Sequence, residues 1–442
     1  MMSLSSSFSL SSSVLPFDQS WSIPPGFQVY YSPCSTKTIN EIPPLLYCIH
    51  GVNHSGLSFQ LLSNYVKEIG SLLTYDLRGH GQSTIPLGGD LSLNTLVNDS
   101  FTVLDTFLLT NYLSVPSTTT SSTNTISNTS TEPKSTSPII PKIPIILIGH
   151  SLGASIVTQL SSLWSNHYSS LSSSSSPLSS LNISLAGLMM IDFTEGGALS
   201  SLEYMKNITD KLALQKFPTV QTAIDWILHS QMLKLRTSAE LSIPSCLQYI
   251  PNTHHQQSVN EMNNNNNDDE NPSTQHISLS MNNQDSTSTP ISSLSSSSID
   301  NTIPISYYQW RASEFLQQSS SYWFDWFTGS TERFLSSSCP RLLFISSMDK
   351  LSQDSGLMAG QVSGKYQLSI IAGVGHVMQE DAPDKLGIVI RAFLSRNHLC
   401  TEIEHNLLQM KLHTIQQQKQ LLSPNHGSPS SSPQKSKSSF SP

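Results

Sequence analysis

An α/β fold, a mostly parallel central sheet with helices on both faces, is predicted by three features of the chain. Short apolar runs alternate with amphipathic helical stretches. The apolar runs are near-continuous rather than alternating with polar residues, as strands buried on both faces read. Serine-, threonine- and asparagine-rich tracts interrupt this alternation without replacing any member of it.

Residues 1–16 are a polar leader with no positive start and no continuous apolar stretch, so they do not read as a signal peptide. The predicted strands are 27–31, 45–49, 72–76, 144–148, 185–191, 342–346 and 367–372. Helices are expected over 58–69, 93–108, 152–164 and 384–394. The tracts 117–137, 169–180 and 252–301 hold too little apolar surface to offset the entropy of ordering, so they are expected as insertions in one domain spanning 17–398. Residues 199–336 turn helical and aromatic between two core strands, which predicts an inserted helical cap over the strand ends. Its tryptophans are expected either in the cap core or against substrate. Residues 399–442 form a low-complexity tail.

Bulk properties narrow the function. Only 12% of the 442 residues are charged and the net charge is −8, with no basic stripe to bind nucleic acid. The five cysteines are scattered and lack a Cys-x-x-Cys pair, which argues against a disulfide framework or a zinc site. No apolar run is long enough to span a bilayer. A cytoplasmic or nuclear location is expected.

The strand at 144–148 runs into Gly149-His150-Ser151-Leu152-Gly153, and a helical pattern opens at Leu152. Strand, Gly-x-Ser-x-Gly, helix is a nucleophile elbow, so the expected fold is the α/β-hydrolase fold. Ser151 is the expected nucleophile, and the free amide of Leu152 at the helix start is an expected oxyanion donor. A serine hydroxyl needs a base. His376 in Gly373-Val374-Gly375-His376 follows the last strand, where glycines let the chain turn the imidazole back.

An acid must orient that imidazole. Asp192 and Asp349 both end apolar strands in the required order, and the pattern alone favours neither. The second oxyanion donor is expected from His50-Gly51-Val52-Asn53, with the Val52 amide preferred over that of Asn53. His50 and His80 read as loop residues. Asp76 and Arg78 are expected to form a local ion pair within Asp76-Leu77-Arg78-Gly79-His80-Gly81-Gln82-Ser83.

Several further segments resemble the protein phosphatase methylesterase family: Met190-Ile191-Asp192-Phe193-Thr194-Glu195-Gly196, Ala223-Ile224-Asp225-Trp226, Trp310-Arg311, Tyr322-Trp323-Phe324-Asp325-Trp326-Phe327, the stretch from Gly360 to Gln367, and Gly375-His376 with Glu380-Asp381-Ala382-Pro383-Asp384-Lys385. The Ile-Asp-x-x-Glu-Gly segment and the aromatic stretch are far more specific than the elbow. The resemblance implies Asp192 as the acid beside Ser151 and His376. It also implies a serine esterase that acts on the methylated C-terminal leucine of the protein phosphatase 2A catalytic subunit, which is the implied partner, with no cofactor or metal. Two residues depart from the family: Val52 stands in a segment usually richer in glycine, and Glu240 stands where an arginine is usual. Two other readings share the fold: a general small-molecule carboxylesterase and a non-catalytic phosphatase-binding protein.

Overall fold

All seven apolar runs expected as strands lie side by side in one sheet. The computed structural model describes residues 17–36, 42–113, 142–172, 176–251 and 306–399. Its strands are β1 (Gln19–Ile23), β2 (Phe27–Ser32), β3 (Leu45–Ile49), β4 (Ser71–Tyr75), β5 (Lys142–His150), β6 (Asn182–Ile191), β7 (Leu247–Ile250), β8 (Tyr307–Trp310), β9 (Arg341–Ile345) and β10 (Gln367–Ile370). Eight of them form the order β1-β2-β4-β3-β5-β6-β9-β10. β2 pairs antiparallel with β1 and β4, and every other pairing in this sheet is parallel.

Helices cover both faces because the strands are apolar on both. The described helices are α1 (Gln60–Val66), α2 (Leu93–Tyr112), α3 (Leu152–Ser172), α4 (Glu195–Ser200), α5 (Leu202–Leu214), α6 (Val220–His229), α7 (Arg236–Cys246), α8 (Ser313–Ser319), α9 (Trp323–Phe327), α10 (Ser330–Ser336), α11 (Met348–Ser352), α12 (Ser355–Val362), α13 (Met378–Asp381) and α14 (Pro383–Arg396). One face packs Tyr47, Leu147 and Met190 against Phe107 of α2 and Val157 of α3. The other packs Leu46, Ile148 and Phe344 against Leu62 of α1 and Ile390 of α14. A third apolar cluster, built by Phe217, Ile224, Ile243 and Trp310, lies outside the sheet and reaches Val377, next to His376.

Three features differ from the sequence expectation. β1 was not expected: it is a polar edge strand that faces solvent over most of its length. Nor was the antiparallel β7–β8 pair, whose strands lie far apart in sequence and carry no local hairpin signal. The serine tract 169–180 is not all insertion. α3 continues through Ser172, and Pro177–Ser180 forms a 3₁₀ turn whose Leu178 is buried in the main core. The expected insertions 117–137 and 252–301, the leader 1–16 and the tail from 400 onward lie outside the described residues.

Candidate active site

Ser151 sits between the last residue of β5 and the first of α3, with φ 53°, a left-handed conformation unusual for a side-chain-bearing residue. The flanking glycines make this turn possible. A Cβ on Gly149 would collide with the Gly153 carbonyl, and one on Gly153 with the carbonyl of Ile49. The Ser151 amide donates to Ile191 O at 3.3 Å, which ties the elbow to β6. Leu152 opens α3, so its amide has no acceptor within the helix and faces the same turn. The loop after β3 approaches closely. A Cβ on Gly51 would stand 2.9 Å from both Ser151 Cβ and His150 Nδ1, so only glycine lets the loop that carries Val52 come this near the nucleophile.

Asp192 directly follows β6 with φ 50° and is tied to β9 by its amide, 2.8 Å from Phe344 O. Its side chain is fully buried. Oδ1 accepts from the Ser346 amide at 3.1 Å. Oδ2 accepts from His376 Nδ1 at 2.8 Å and from Lys350 Nζ. Burial pushes this carboxyl up, but the hydrogen bond and charge of His376 together with the Lys350 ammonium outweigh it and hold the group below the usual carboxylate range. Asp349, the other candidate acid, is exposed on α11; its backbone carbonyl accepts from Ser352 Oγ.

His376 lies in the loop after β10, about half exposed. Its carbonyl accepts from His150 Nε2 at 3.0 Å, and the two rings lie tilted against each other with centroids 4.8 Å apart. Asp381 braces the loop: Oδ2 accepts from the Gly375 amide at 2.7 Å and Oδ1 from the Lys234 amide at 2.8 Å. The Ser151 hydroxyl makes no hydrogen bond to the imidazole among the described residues. The acid–imidazole half of a relay is therefore formed and the imidazole–serine half is open, a separation common before substrate arrives.

The DLRGHGQS loop is wired differently from expectation. Asp76 does not pair with Arg78. Its buried carboxylate accepts from the amides of Gly56 and Gln82, each at 2.7 Å, and from Tyr30 Oη at 3.0 Å. Burial raises its carboxyl to about 6 against those donors. Arg78 instead grips Asp99 of α2 through Nε at 2.6 Å and Nη2 at 2.7 Å. Closeness in sequence suggests a local pair, but the turn aims Asp76 into amides and leaves the guanidinium to a helix. His50 and His80 are buried loop residues. His50 Nε2 accepts from the Leu77 amide at 3.0 Å, and His80 packs on Phe315 with centroids 4.7 Å apart.

Several residues near the site have roles that no local pattern states. His150 and Glu380 stand inside motifs, Lys350 in none, and all three bond residues far off in sequence. Glu195 does have a motif: it closes the Ile-Asp-x-x-Glu-Gly segment, and its carboxylate accepts from the amides of Gly329 and Thr331, each at 2.8 Å, capping α10. The segment thus serves the imidazole with its Asp and the start of α10 with its Glu. The tryptophans divide between two cores. Trp310 is buried in the outer cluster with Trp226 against it, while Trp323 and Trp326 are buried in the main core, where Trp326 Nε1 donates to Leu91 O at 2.8 Å. Within the aromatic stretch, Trp323, Trp326 and Phe327 are thus core residues, while Phe324 is exposed. Glu240 is exposed on α7, 3.7 Å from Arg236.

The strand order, with antiparallel leading strands and a strained serine at the end of β5, is that of an α/β-hydrolase. No family model matches the chain. Among curated proteins it is similar to those named protein phosphatase methylesterase 1. It is 27% identical to the one from Neurospora crassa over 374 residues, 80% of this chain and 65% of that protein. It is 27% identical to the one from Homo sapiens over 365 residues, 81% and 78% of the two. The chain thus spans about two thirds of the length of the Neurospora relative. Among solved structures it is similar to E-2-(acetamidomethylene)succinate hydrolase, with a TM-score of 0.48 and 14% identity over 83% of this chain and 94% of that one. A Mycobacterium tuberculosis esterase gives a TM-score of 0.44 and 13% identity over 86% and 93%.

Proposed function

We propose that the chain is a serine carboxylesterase that removes the methyl ester from the C-terminal leucine of the protein phosphatase 2A catalytic subunit. The observation that carries the reading is the 2.8 Å bond from His376 Nδ1 to Asp192 beside a left-handed serine at a helix start. In this mechanism Ser151 Oγ attacks the ester carbonyl and His376 takes its proton. Asp192 fixes the imidazole tautomer and balances the imidazolium. The amides of Leu152 and Val52 bind the tetrahedral oxyanion. The C–O bond to the methoxy group breaks, His376 protonates it, and methanol leaves. Water then attacks the acyl-enzyme by the same route. The substrate rests on the similarity to proteins named for phosphatase demethylation.

Methanol release from methylated phosphatase, followed in parallel with fluorophosphonate labelling, tests the proposal. Ser151→Ala is expected to lose about 10⁴–10⁶ in rate and all labelling. Labelling that persists in the variant shows that another nucleophile is at work. Equal or better turnover of p-nitrophenyl acetate favours a general esterase. Phosphatase capture with neither labelling nor turnover is the result expected of a non-catalytic phosphatase-binding protein.

A further inference from the structure

Asp192 is held by two cationic partners, and one of them comes from an unexpected place. Acids at the end of β9 were an alternative for the relay, yet that loop presents an ammonium instead. Asp349 is exposed on α11, while the next residue, Lys350, turns inward and bonds Asp192 Oδ2. β6 and β9 are neighbouring parallel strands in register, with Ile191 opposite Phe344, so the first turn of α11 lies directly beside the end of β6. Lys350 is fastened at its other end too: its carbonyl accepts from Thr194 Oγ1 at 3.3 Å. Thr194 in turn caps α4. The residue thus spans the Asp192–Thr194 turn with both backbone and side chain. Its side chain is 35% exposed, and that of Asp192 is 0% exposed.

We propose that Lys350 is a positioning residue of the relay, pinning the very oxygen that His376 Nδ1 uses and keeping the buried carboxylate ionised. With the Ser346 amide on Oδ1 and Lys350 on Oδ2, the carboxylate cannot rotate, so the lone pair offered to Nδ1–H has one direction. The charge matters as much as the geometry. A buried carboxylate with a single imidazole partner takes a proton more readily than one that also faces an ammonium. No other described cation is in a position to substitute. The other titratable groups around the pair are His150, its ring tilted against that of His376, His54, edge-on to His150, and on the His376 loop Asp381, which accepts from the Gly375 amide, and Lys234, whose ammonium donates to Gly373 O. Burial holds His150 well below the ordinary imidazole range and His54 down to about 3, so both are uncharged. The inference rests on the acyl-transfer reading of the site but not on the identity of the ester.

The test compares wild type with Lys350→Met, Lys350→Gln and Lys350→Arg. Two readouts are followed against pH: kcat/KM on a p-nitrophenyl ester, and the downfield Nδ1–H proton resonance of the His376–Asp192 bond in the resting protein. Lys350→Met and Lys350→Gln are expected to move the acidic limb of the rate profile, and the loss of the resonance, up by about one pH unit. This is the low end of the range for a close opposite charge, because Lys350 is partly exposed. Lys350→Arg is expected to behave as wild type, and KM to stay unchanged in all three. Coincident pH profiles for Lys350→Met and wild type overturn the proposal, as does a Lys350→Arg profile that follows Lys350→Met. The resonance reports on the bond even if the protein hydrolyses no ester, so failure of the esterase reading is separable from failure of this one.

Discussion

Two carboxylates are fully buried beside histidines near the ends of the sheet, and they are held in opposite states. Asp192 faces His376 Nδ1 at 2.8 Å, the Lys350 ammonium and a backbone amide, and its carboxyl is held below the usual range. Glu380 of α13 lies 3.7 Å from His54 Nδ1, beyond hydrogen-bonding distance, and accepts only from the hydroxyls of Ser238 at 2.9 Å and Ser242 at 2.6 Å. Burial pushes its carboxyl up to about 8 against those two donors. Its Oε1 has no hydrogen-bond partner and His54 is uncharged, so near neutrality the pair is two neutral groups and not an ion pair. Hydroxyl donors do not offset the loss of water around a carboxylate; a cation with an N–H does. The ionised acid serves the imidazole, and the protonated one joins α7 to α13.

The comparison breaks most sharply at Asp192. Asp192→Asn removes the charge and presents either the wrong tautomer or an unpaired amide to His376, so kcat is expected to fall about 10⁴-fold with the fold intact. Asp349→Asn, on the exposed face of the neighbouring helix, is expected to change the rate by no more than about 2-fold. Steady-state hydrolysis of the two variants decides between the acids, and a larger loss at Asp349 overturns the assignment.

The same contrast shows what a sequence discloses. Strands such as 45–49 are legible because burial on both faces leaves only apolar residues, and Ser151 because its turn admits so few residue types. His376 is legible because glycines precede it in a loop at the right point of the chain. Asp192 and Asp349 look alike in the text: both follow apolar strands, and what separates them is which one meets a cation and an imidazole. That depends on Lys350, 158 positions from Asp192, and on β6 and β9 being neighbours, which no local pattern states. His150 is hidden for the same reason, since its partner is the His376 backbone. The Asp76–Arg78 expectation failed because proximity in sequence was taken for proximity of side chains, whereas the turn between them points the two groups apart. Glu380 shows in the text only as part of a motif, because its burial depends on α7, contributed from the far side of an insertion.

Glu380 gives the comparison a pH dependence. Its carboxyl stands at about 8 in the folded chain against an ordinary 4.5, so between those values the folded chain keeps a proton that the unfolded chain has released. Stability therefore falls as pH rises through that window and levels off above it. Glu380→Gln keeps the shape and removes the titration. The variant is expected to match wild type near pH 5 and to exceed it by on the order of a few kcal/mol at pH 9. Thermal melts at pH 5, 7 and 9 measure this. Parallel wild-type and variant curves would show that Glu380 is not held protonated.

The smallest effect expected is at the hydroxyls. Ser238 and Ser242 are both buried on α7 and both donate to Glu380 Oε2. While Glu380 is protonated, each is an ordinary neutral hydrogen bond, and Ser238→Ala or Ser242→Ala is expected to cost about 1 kcal/mol. Once Glu380 is an anion the same bonds are charge-assisted and about twice as strong, and they are the only donors it has among the described residues. The cost of either substitution should therefore grow between pH 6 and pH 9. In the Glu380→Gln background it should be the same at both pH values, because nothing there titrates. A urea-unfolding double-mutant cycle at the two pH values isolates the term. A serine cost that stays constant with pH in the wild-type background would mean that hydroxyls stabilise the buried acid and its anion alike, and the distinction drawn between Asp192 and Glu380 would then have to rest on charge alone.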